Sequence, residues 1–241
     1  RWAENTVQLN VSFFYMDWSD FQAEVVDPSF GECRDPTDPG PCSGGAALPW
    51  VKVVGNVGDA HSSGVEAQFA WVPADGWDIG ANAQWLEAEI DEDIITDPRA
   101  GQSLTKGQRL PNVAEFQASA WASYTWPVQF MGAGDMFLRG QFSHTGDSIN
   151  LLIPERSSAN PSHMQDSYSI ADVRLGLISQ DGDWRLEVFV NNVGDERAEL
   201  FQNTGDFEWA FSHSSQYDRF HRVYTNRPRE YGVRFTKTWS D

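Results

Sequence analysis

Residues 77–85 read Trp-Asp-Ile-Gly-Ala-Asn-Ala-Gln-Trp, and their strict alternation decides the fold class. The odd positions, from Trp77 to Trp85, are apolar, whereas the even positions hold Asp, Gly, Asn and Gln. Successive side chains of a β-strand point to opposite faces of the sheet. This segment therefore predicts a strand with one apolar and one polar face.

The same period of two recurs along the chain. The further segments are 6–15, 65–71, 116–126, 136–144, 169–177, 184–190 and 231–239. Trp121 breaks the alternation in one of them, because it is an aromatic residue at a polar position. No comparable stretch follows the helical period, so the chain is predicted to be all-β, with about eight antiparallel strands.

Short and long connections between these segments alternate. Tight turns at 73–76 and 180–183, and a slightly longer one at 127–134, separate long polar connections at about 27–49, 91–108, 150–166 and 203–221. An up-and-down transmembrane barrel has short periplasmic turns and long outer loops, a difference that a soluble sandwich does not require. The pattern predicts a wall of an outer-membrane barrel, with its C-terminus in the periplasm.

Composition and the two ends of the chain narrow the choice. The 241 residues carry a net charge of −18, and phosphates repel such a polyanion, so nucleic acid is excluded as a partner. The absence of a leader before Arg1 predicts a processed or truncated piece. Five tryptophans beside the short turns predict an aromatic girdle at the membrane interface: Trp71, Trp77, Trp126, Trp184 and Trp239.

Cys33 and Cys42 flank a segment rich in Pro, Asp and Gly that could not hold a helix. Two cysteines this close in a turn-rich loop predict a disulfide, and hence a periplasmic or extracellular setting. Two buried thiols are the alternative.

Six motifs, in the same order as in the family, resemble TonB-dependent outer-membrane receptors. Residues 56–66, Asn-Val-Gly-Asp-Ala-His-Ser-Ser-Gly-Val-Glu, are similar to the family signature N-x-G-x-A-x-S-x-G-x-E. Residues 190–197 are similar to its N-L-x-D-x-x-Y element, and 226–235 to its P-R-x-Y-G last strand. The other matching pieces are 86–90, 106–113 and 142–147.

The resemblance implies a barrel of about 22 strands with an N-terminal plug. Residues 1–241 would then be the C-terminal part of the barrel, with the plug and the TonB box absent. It further implies active import of a scarce ligand across the cell outer membrane, the ligand being an iron–siderophore chelate, a carbohydrate or another nutrient. The implied partners are outer-membrane lipid and lipopolysaccharide, TonB acting through the missing plug, and the small-molecule ligand. Such a receptor is not an enzyme and needs no cofactor.

Three other functions stay open. One is a passive outer-membrane porin, and another is a small closed barrel enzyme, for which His213, Ser214 and Asp218 are the nearest approach to a catalytic set. The third is a soluble carbohydrate-binding sandwich. It requires five apolar residues to be buried against a second layer of protein: Val65, Phe69, Ile79, Ala120 and Leu186.

The candidate ligand site is the loop at 201–220, where aromatic side chains alternate with amides and carboxylates. Such surfaces suit stacking on sugar rings, or an aromatic or metal-chelate ligand. Packing of these aromatics within the loop or against a plug is the alternative. The candidates are Phe207, Trp209, Phe211, His213, Gln216 and Tyr217, with Trp50 as a weaker one.

Charged residues give two weaker predictions. Glu87, Glu89, Asp91 and Asp93 crowd one strand end, where they form either a weak Ca²⁺ site or a solvated anionic rim bridged to lipopolysaccharide. The five histidines show no spacing typical of metal ligands, so no other metal is predicted. Arginines 139, 174, 185 and 234, opposite glutamates 66, 115 and 187, predict ladders of charge on the lumen wall.

Overall fold

The computed structural model describes residues 6–26, 52–97, 102–149, 164–203 and 222–239. All of the regular elements in these ranges are β-strands. The strands are β1 (Val7–Val26), β2 (Lys52–Trp71), β3 (Trp77–Ile90), β4 (Ile94–Asp97), β5 (Gln102–Leu104), β6 (Phe116–Phe130), β7 (Ala133–Thr145), β8 (Ser148–Ile149), β9 (Met164–Gln165), β10 (Tyr168–Ser179), β11 (Trp184–Asn191), β12 (Glu199–Asn203), β13 (Arg222–Thr225) and β14 (Glu230–Lys237). The described part of the chain holds no helical segment able to cross a bilayer.

Eight of the strands form one sheet in the order β1-β2-β3-β6-β7-β10-β11-β14. Each strand pairs antiparallel with its neighbours, so the sheet follows the chain up and down. Within the described ranges β1 and β14 do not pair with each other, and the sheet is an open segment of wall. The predicted all-β, up-and-down wall of eight strands is confirmed.

The register sorts the side chains into two faces. One row across six strands is apolar throughout, and the rows in line with it form the apolar face: Leu9, Phe69, Ala81, Ala120, Phe142 and Ala171. The adjacent row is mostly polar, and the rows in line with it form the polar face: Asn10, Gln68, Asn82, Ser119, Ser143 and Ile170.

The apolar face has no protein layer over it among the described residues. Phe13 is 79% exposed and Val233 is 69% exposed, and both project from this face. Val65, Phe69 and Ile79 are half-buried, and Ala120 and Leu186 are exposed. A soluble sandwich would have buried these side chains, so the arrangement favours hydrocarbon as the solvent of this face.

The two ends of the sheet differ. The turn end carries the tight connections, and there Trp77 contacts Tyr124 in a tilted arrangement with ring centroids 4.8 Å apart, while Tyr124 stacks on Trp126 at 5.5 Å. Trp71 ends β2 and Trp184 begins β11 at this same end. Aromatic residues are enriched at membrane–water interfaces, so the turn end has the expected girdle.

At the opposite end, the loop end, the polarity of the two faces inverts. Ala88 and Ile90 of β3 are buried although they continue the polar face. They pack with Ala60 and Leu110 and with the β4–β5 hairpin, which contributes Ile94 and Leu104 to one small core. The prediction of a polar connection over 91–108 is wrong for these two apolar residues.

Candidate functional site

Three short hairpins form the bases of the long loops at the loop end. The β4–β5, β8–β9 and β12–β13 pairs flank residues 98–101, 150–163 and 204–221, which lie outside the described ranges. The Asn112 backbone N–H donates to the Ile149 carbonyl at 2.7 Å, and the Ser148 hydroxyl donates to the Gln165 side-chain oxygen at 2.7 Å. The Gln165 amide in turn donates to the Leu200 carbonyl. These bonds connect the bases of neighbouring loops.

Asn192 fastens the last loop to the sheet. It is buried, and its φ of 52° lies in the left-handed region that asparagine tolerates. Its side-chain oxygen accepts from the Glu196 N–H at 2.8 Å, and its amide donates to the carbonyls of Glu196 and Arg227 at 2.9 and 3.0 Å. Its own backbone N–H donates to Asp172 at 2.8 Å. One side chain therefore holds together the start and the end of the segment that contains the aromatic loop.

Asp195 forms a hydrogen bond and an ion pair beside Asn192. Its carboxylate accepts from the Arg229 backbone N–H at 2.9 Å and pairs with the Arg197 guanidinium at 3.1 Å. Both donors favour the charged carboxylate, so the Arg229 N–H first, and Arg197 in addition, lower the pKa of Asp195.

Ion pairs and hydrogen bonds of this kind bring together the six motifs that were compared with the receptor family. Arg109, from 106–113, pairs with Asp147 at 2.9 Å and with Glu115 at 3.2 Å. His61, from 56–66, contacts Asp91 at 2.8 Å, close after 86–90. The motifs at 190–197 and 226–235 meet at Asn192. The motif residues thus fix the bases of the loops.

The acidic run does not converge on one point. Glu87 and Glu89 continue the apolar face at the loop end, Asp91 contacts His61, and Asp93 accepts from the Lys106 N–H at 3.0 Å. Among the described residues, no three His, Cys, Asp or Glu side chains come together as metal ligands. The Ca²⁺ site therefore has no support in this geometry, which fits the solvated rim better.

Aromatic rings lie over glycines on the polar face, at directly opposite register positions. A Cβ built on Gly80 would lie 2.1 Å from the Trp121 ring. The same relation holds between Gly176 and Phe137, at 2.4 Å, and between Gly232 and Phe189, at 2.2 Å. Bare glycine backbone lets each ring lie flat on the neighbouring strand.

Each of these rings also carries a guanidinium. Arg139 lies 5.8 Å from the Trp121 ring centroid, Arg185 lies 4.0 Å from Phe137, and Arg234 lies 5.6 Å from Phe189. These distances are typical of cation–π contacts. The glycine, ring and arginine therefore repeat three times across the polar face.

Glu187 supplies part of the predicted ladder. It is only 3% exposed, and it pairs with Arg185 at 3.2 Å and with Arg234 at 3.0 Å. Glu115 pairs with Arg109, a partner that the sequence analysis did not name. Arg139 and Arg174 have no carboxylate partner among the described residues, so this part of the predicted ladder is wrong. The register explains it, because the two arginines lie opposite each other.

The ring-on-glycine pairs were not predicted from the sequence, although Trp121 gave a signal as the exception to the alternation. The predicted ligand candidates lie outside the described residues, as do the two cysteines and the weak catalytic set. The aromatic pair nearest to that loop is Phe201 with Tyr224, on the β12–β13 base, with ring centroids 5.9 Å apart.

An open up-and-down sheet with an uncovered apolar face, an aromatic turn end and connected loop bases defines the wall of an outer-membrane type of barrel. The model of the family "TonB dependent receptor-like, beta-barrel" matches residues 1–193. The chain belongs to this family, whose members are outer-membrane receptors and transporters. No curated protein matches the sequence.

Solved structures with the same fold are several times longer than this chain. The ferric yersiniabactin uptake receptor FyuA from Yersinia pestis is 18% identical with a TM-score of 0.66, over 98% of this chain and 28% of its own. The siderophore receptor PiuA from Acinetobacter baumannii is 16% identical with a TM-score of 0.61, over 98% and 26%. The ferric preacinetobactin receptor BauA from Acinetobacter baumannii is 13% identical with a TM-score of 0.59, over 98% and 28%. At these sequence identities the similarity establishes a shared fold and nothing more.

Proposed function

We propose that residues 1–241 form the C-terminal part of the barrel wall of a TonB-dependent receptor that imports a scarce ligand across the outer membrane. The observation that carries the proposal is the uncovered apolar face on an open sheet in a chain of this family. The plug and the remaining strands would belong to the rest of the receptor, and energy would reach the ligand through TonB acting on that plug.

The proposed orientation places the turn end in the periplasm. Strand β14 runs from the loop end to the turn end, where Lys237 lies opposite Trp184. The C-terminus would therefore be periplasmic, and the loop end would face outside, next to lipopolysaccharide. The acidic residues at the loop end support this arrangement, since divalent ions can bridge them to anionic lipid.

The proposed ligand is a ferric siderophore chelate, with a carbohydrate as the second candidate. Two of the neighbours, an uptake receptor for ferric yersiniabactin and a receptor for ferric preacinetobactin, support the first. The aromatic loop supports either, because ring faces stack on both kinds of ligand. Phe207, Trp209, Phe211, His213, Gln216, Tyr217 and Trp50 stay the proposed contacts, and Cys33–Cys42 the proposed disulfide.

Uptake in cells that express the full-length receptor tests the proposal. Radioactive iron loaded on catecholate, hydroxamate and phenolate chelates is supplied to cells with and without TonB. We expect saturable uptake of at least one chelate that depends on TonB. Equal uptake in both strains would point to a passive porin and would contradict active import.

Loop variants test the site within the same assay. Trp209→Ala and Phe211→Ala should weaken binding of the transported chelate, whereas Trp85→Ala, an exposed tryptophan on the apolar face, should not. All three variants must first show the shift in gel mobility on heating that marks a folded barrel. Unchanged affinity in both loop variants would remove the aromatic loop from the ligand site.

A further inference from the structure

Arg139 and Arg174 lie directly opposite each other on β7 and β10, on the polar face. Directly opposite residues of antiparallel strands have Cβ atoms about 4.5–5.5 Å apart, and like charges at such positions destabilise the sheet. Both side chains are half-buried, so water screens their repulsion less well than at an open surface. The arrangement is costly unless something anionic lies between them.

No carboxylate of the described residues forms an ion pair with Arg139 or Arg174. Asp172, two residues before Arg174, accepts from the Asn192 N–H at 2.8 Å. Glu187 already pairs with two other arginines. Asp78 shares the row of Arg139 but lies two strands away, about 10 Å at the usual strand spacing.

Aromatic residues lie on the strands next to both arginines. The Trp121 ring lies 5.8 Å from the Arg139 guanidinium carbon. Phe189 lies directly opposite Arg174 on the other side, and Arg234 covers its ring. Each arginine therefore has an aromatic residue on a neighbouring strand, on a face otherwise rich in amides and hydroxyls.

We propose that Arg139 and Arg174 form a subsite that binds a carboxylate on the polar face of the wall. Guanidinium groups present parallel N–H donors that match the two oxygens of a carboxylate, and one such anion would neutralise the repulsion of both arginines. The carboxylate comes either from a protein segment that lies against this face in the whole receptor or from a ligand that passes along it. The inference rests on the proposed function only in taking the polar face to line the barrel interior.

The test uses the full-length receptor in detergent, with malonate as the carboxylate probe. Thermal unfolding is measured in malonate and in malonamide, its neutral analogue, at equal ionic strength. The variants are Arg139→Gln, Arg174→Gln and the double variant, and the control is Lys106→Gln. The control removes an exposed positive charge at the loop end and leaves the proposed subsite intact.

Two results support the subsite and separate the sources. If a ligand carboxylate is the occupant, malonate raises the Tm of the wild type and of the control, and each subsite variant loses about tenfold or more in malonate affinity. If a protein carboxylate is the occupant, malonate leaves the wild type unchanged, and the subsite variants unfold at a lower temperature than the wild type.

A double variant that is as stable as the wild type or more so, in a receptor that does not respond to malonate, overturns the proposal. This readout is an equilibrium measurement on the purified receptor and does not involve TonB. A receptor that fails to import can therefore still show the subsite, and TonB-dependent uptake without it would refute this inference alone.

Discussion

Replacing Gly80 by alanine places a methyl group where the Trp121 ring already lies. The new Cβ would be 2.1 Å from ring atom Cζ2 and 2.3 Å from Cη2, whereas carbon atoms pack at about 3.5–4.0 Å. The ring has to move by more than about 1 Å. Overpacking of this kind costs about 1–3 kcal/mol.

Two smaller effects act in opposite directions. Displacing the Trp121 ring also removes it from the Arg139 guanidinium, a contact of about 0.5–1 kcal/mol. Alanine in a strand is favoured over glycine by about 0.5–1 kcal/mol, which offsets that loss. The expected net loss of stability for Gly80→Ala is therefore about 1–3 kcal/mol.

Gly140→Ala is the matched control, because a Cβ built there has no atom within 4 Å. It should leave stability unchanged or raise it by up to about 1 kcal/mol. The assay is unfolding of the full-length receptor in detergent, followed by the change of gel mobility on heating. If both alanine variants unfold at the same temperature, the ring does not lie on Gly80 and the reasoning is refuted. A second check combines Gly80→Ala with Trp121→Leu. Because the two residues are in contact, the double variant should lose less stability than the sum of the losses of the two single variants.

Three further perturbations test individual hydrogen bonds and ion pairs of the sheet and its loop bases. Asn192→Ala removes the three side-chain hydrogen bonds and places alanine at positive φ, so we expect a loss of about 2 kcal/mol or more in the same unfolding assay. Glu187→Gln leaves two half-exposed arginines without their anion and should cost about 1–3 kcal/mol, whereas Arg197→Gln, at a more exposed ion pair, should cost less than about 1 kcal/mol. The pKa of Asp183 is lowered chiefly by the hydrogen bond from Lys237. The stability that this carboxylate contributes is therefore complete above about pH 4 and is lost as the pH falls through the lowered folded pKa. When the unfolding temperature is measured from pH 6 down to 3, it should depend less on pH in Lys237→Met than in the wild type.

The alternation of apolar and polar residues was sufficient to predict the strands, and the alternation of short and long connections predicted that they form a barrel wall. Residues 77–85 predicted β3, whose face assignment agrees with the register to β2 and β6. The period of two is a local property, so one strand reveals its faces without knowledge of its neighbours. The grouping of tryptophans at the turn end was predicted in the same way, because a position beside a short turn is also a local property.

Features that depend on register could not be read from one strand. Nothing in the sequence states that Arg174 lies opposite Arg139, because that requires the pairing of β7 with β10. The same holds for Gly176, which reads as a weak point of its strand until Phe137 is seen to cover it. The small core around Ile90 was missed for another reason. There the chain folds back on the polar face, and the solvent that each face meets changes along the strand.

The three repeats of glycine, ring and arginine do not carry the same charge balance, and this difference separates structural from functional residues on one face. At the C-terminal strands the guanidiniums of Arg185 and Arg234 stack on rings and bind Glu187, so each is both packed and neutralised. Arg139 is packed by Trp121 in the same way but is not neutralised, and its neighbour across the strands adds a second positive charge. Packing alone therefore explains the rings and two of the arginines. The pair of Arg139 and Arg174 destabilises the wall by itself. An anion supplied by the rest of the receptor or by its ligand would neutralise the repulsion and so explain why the pair is there.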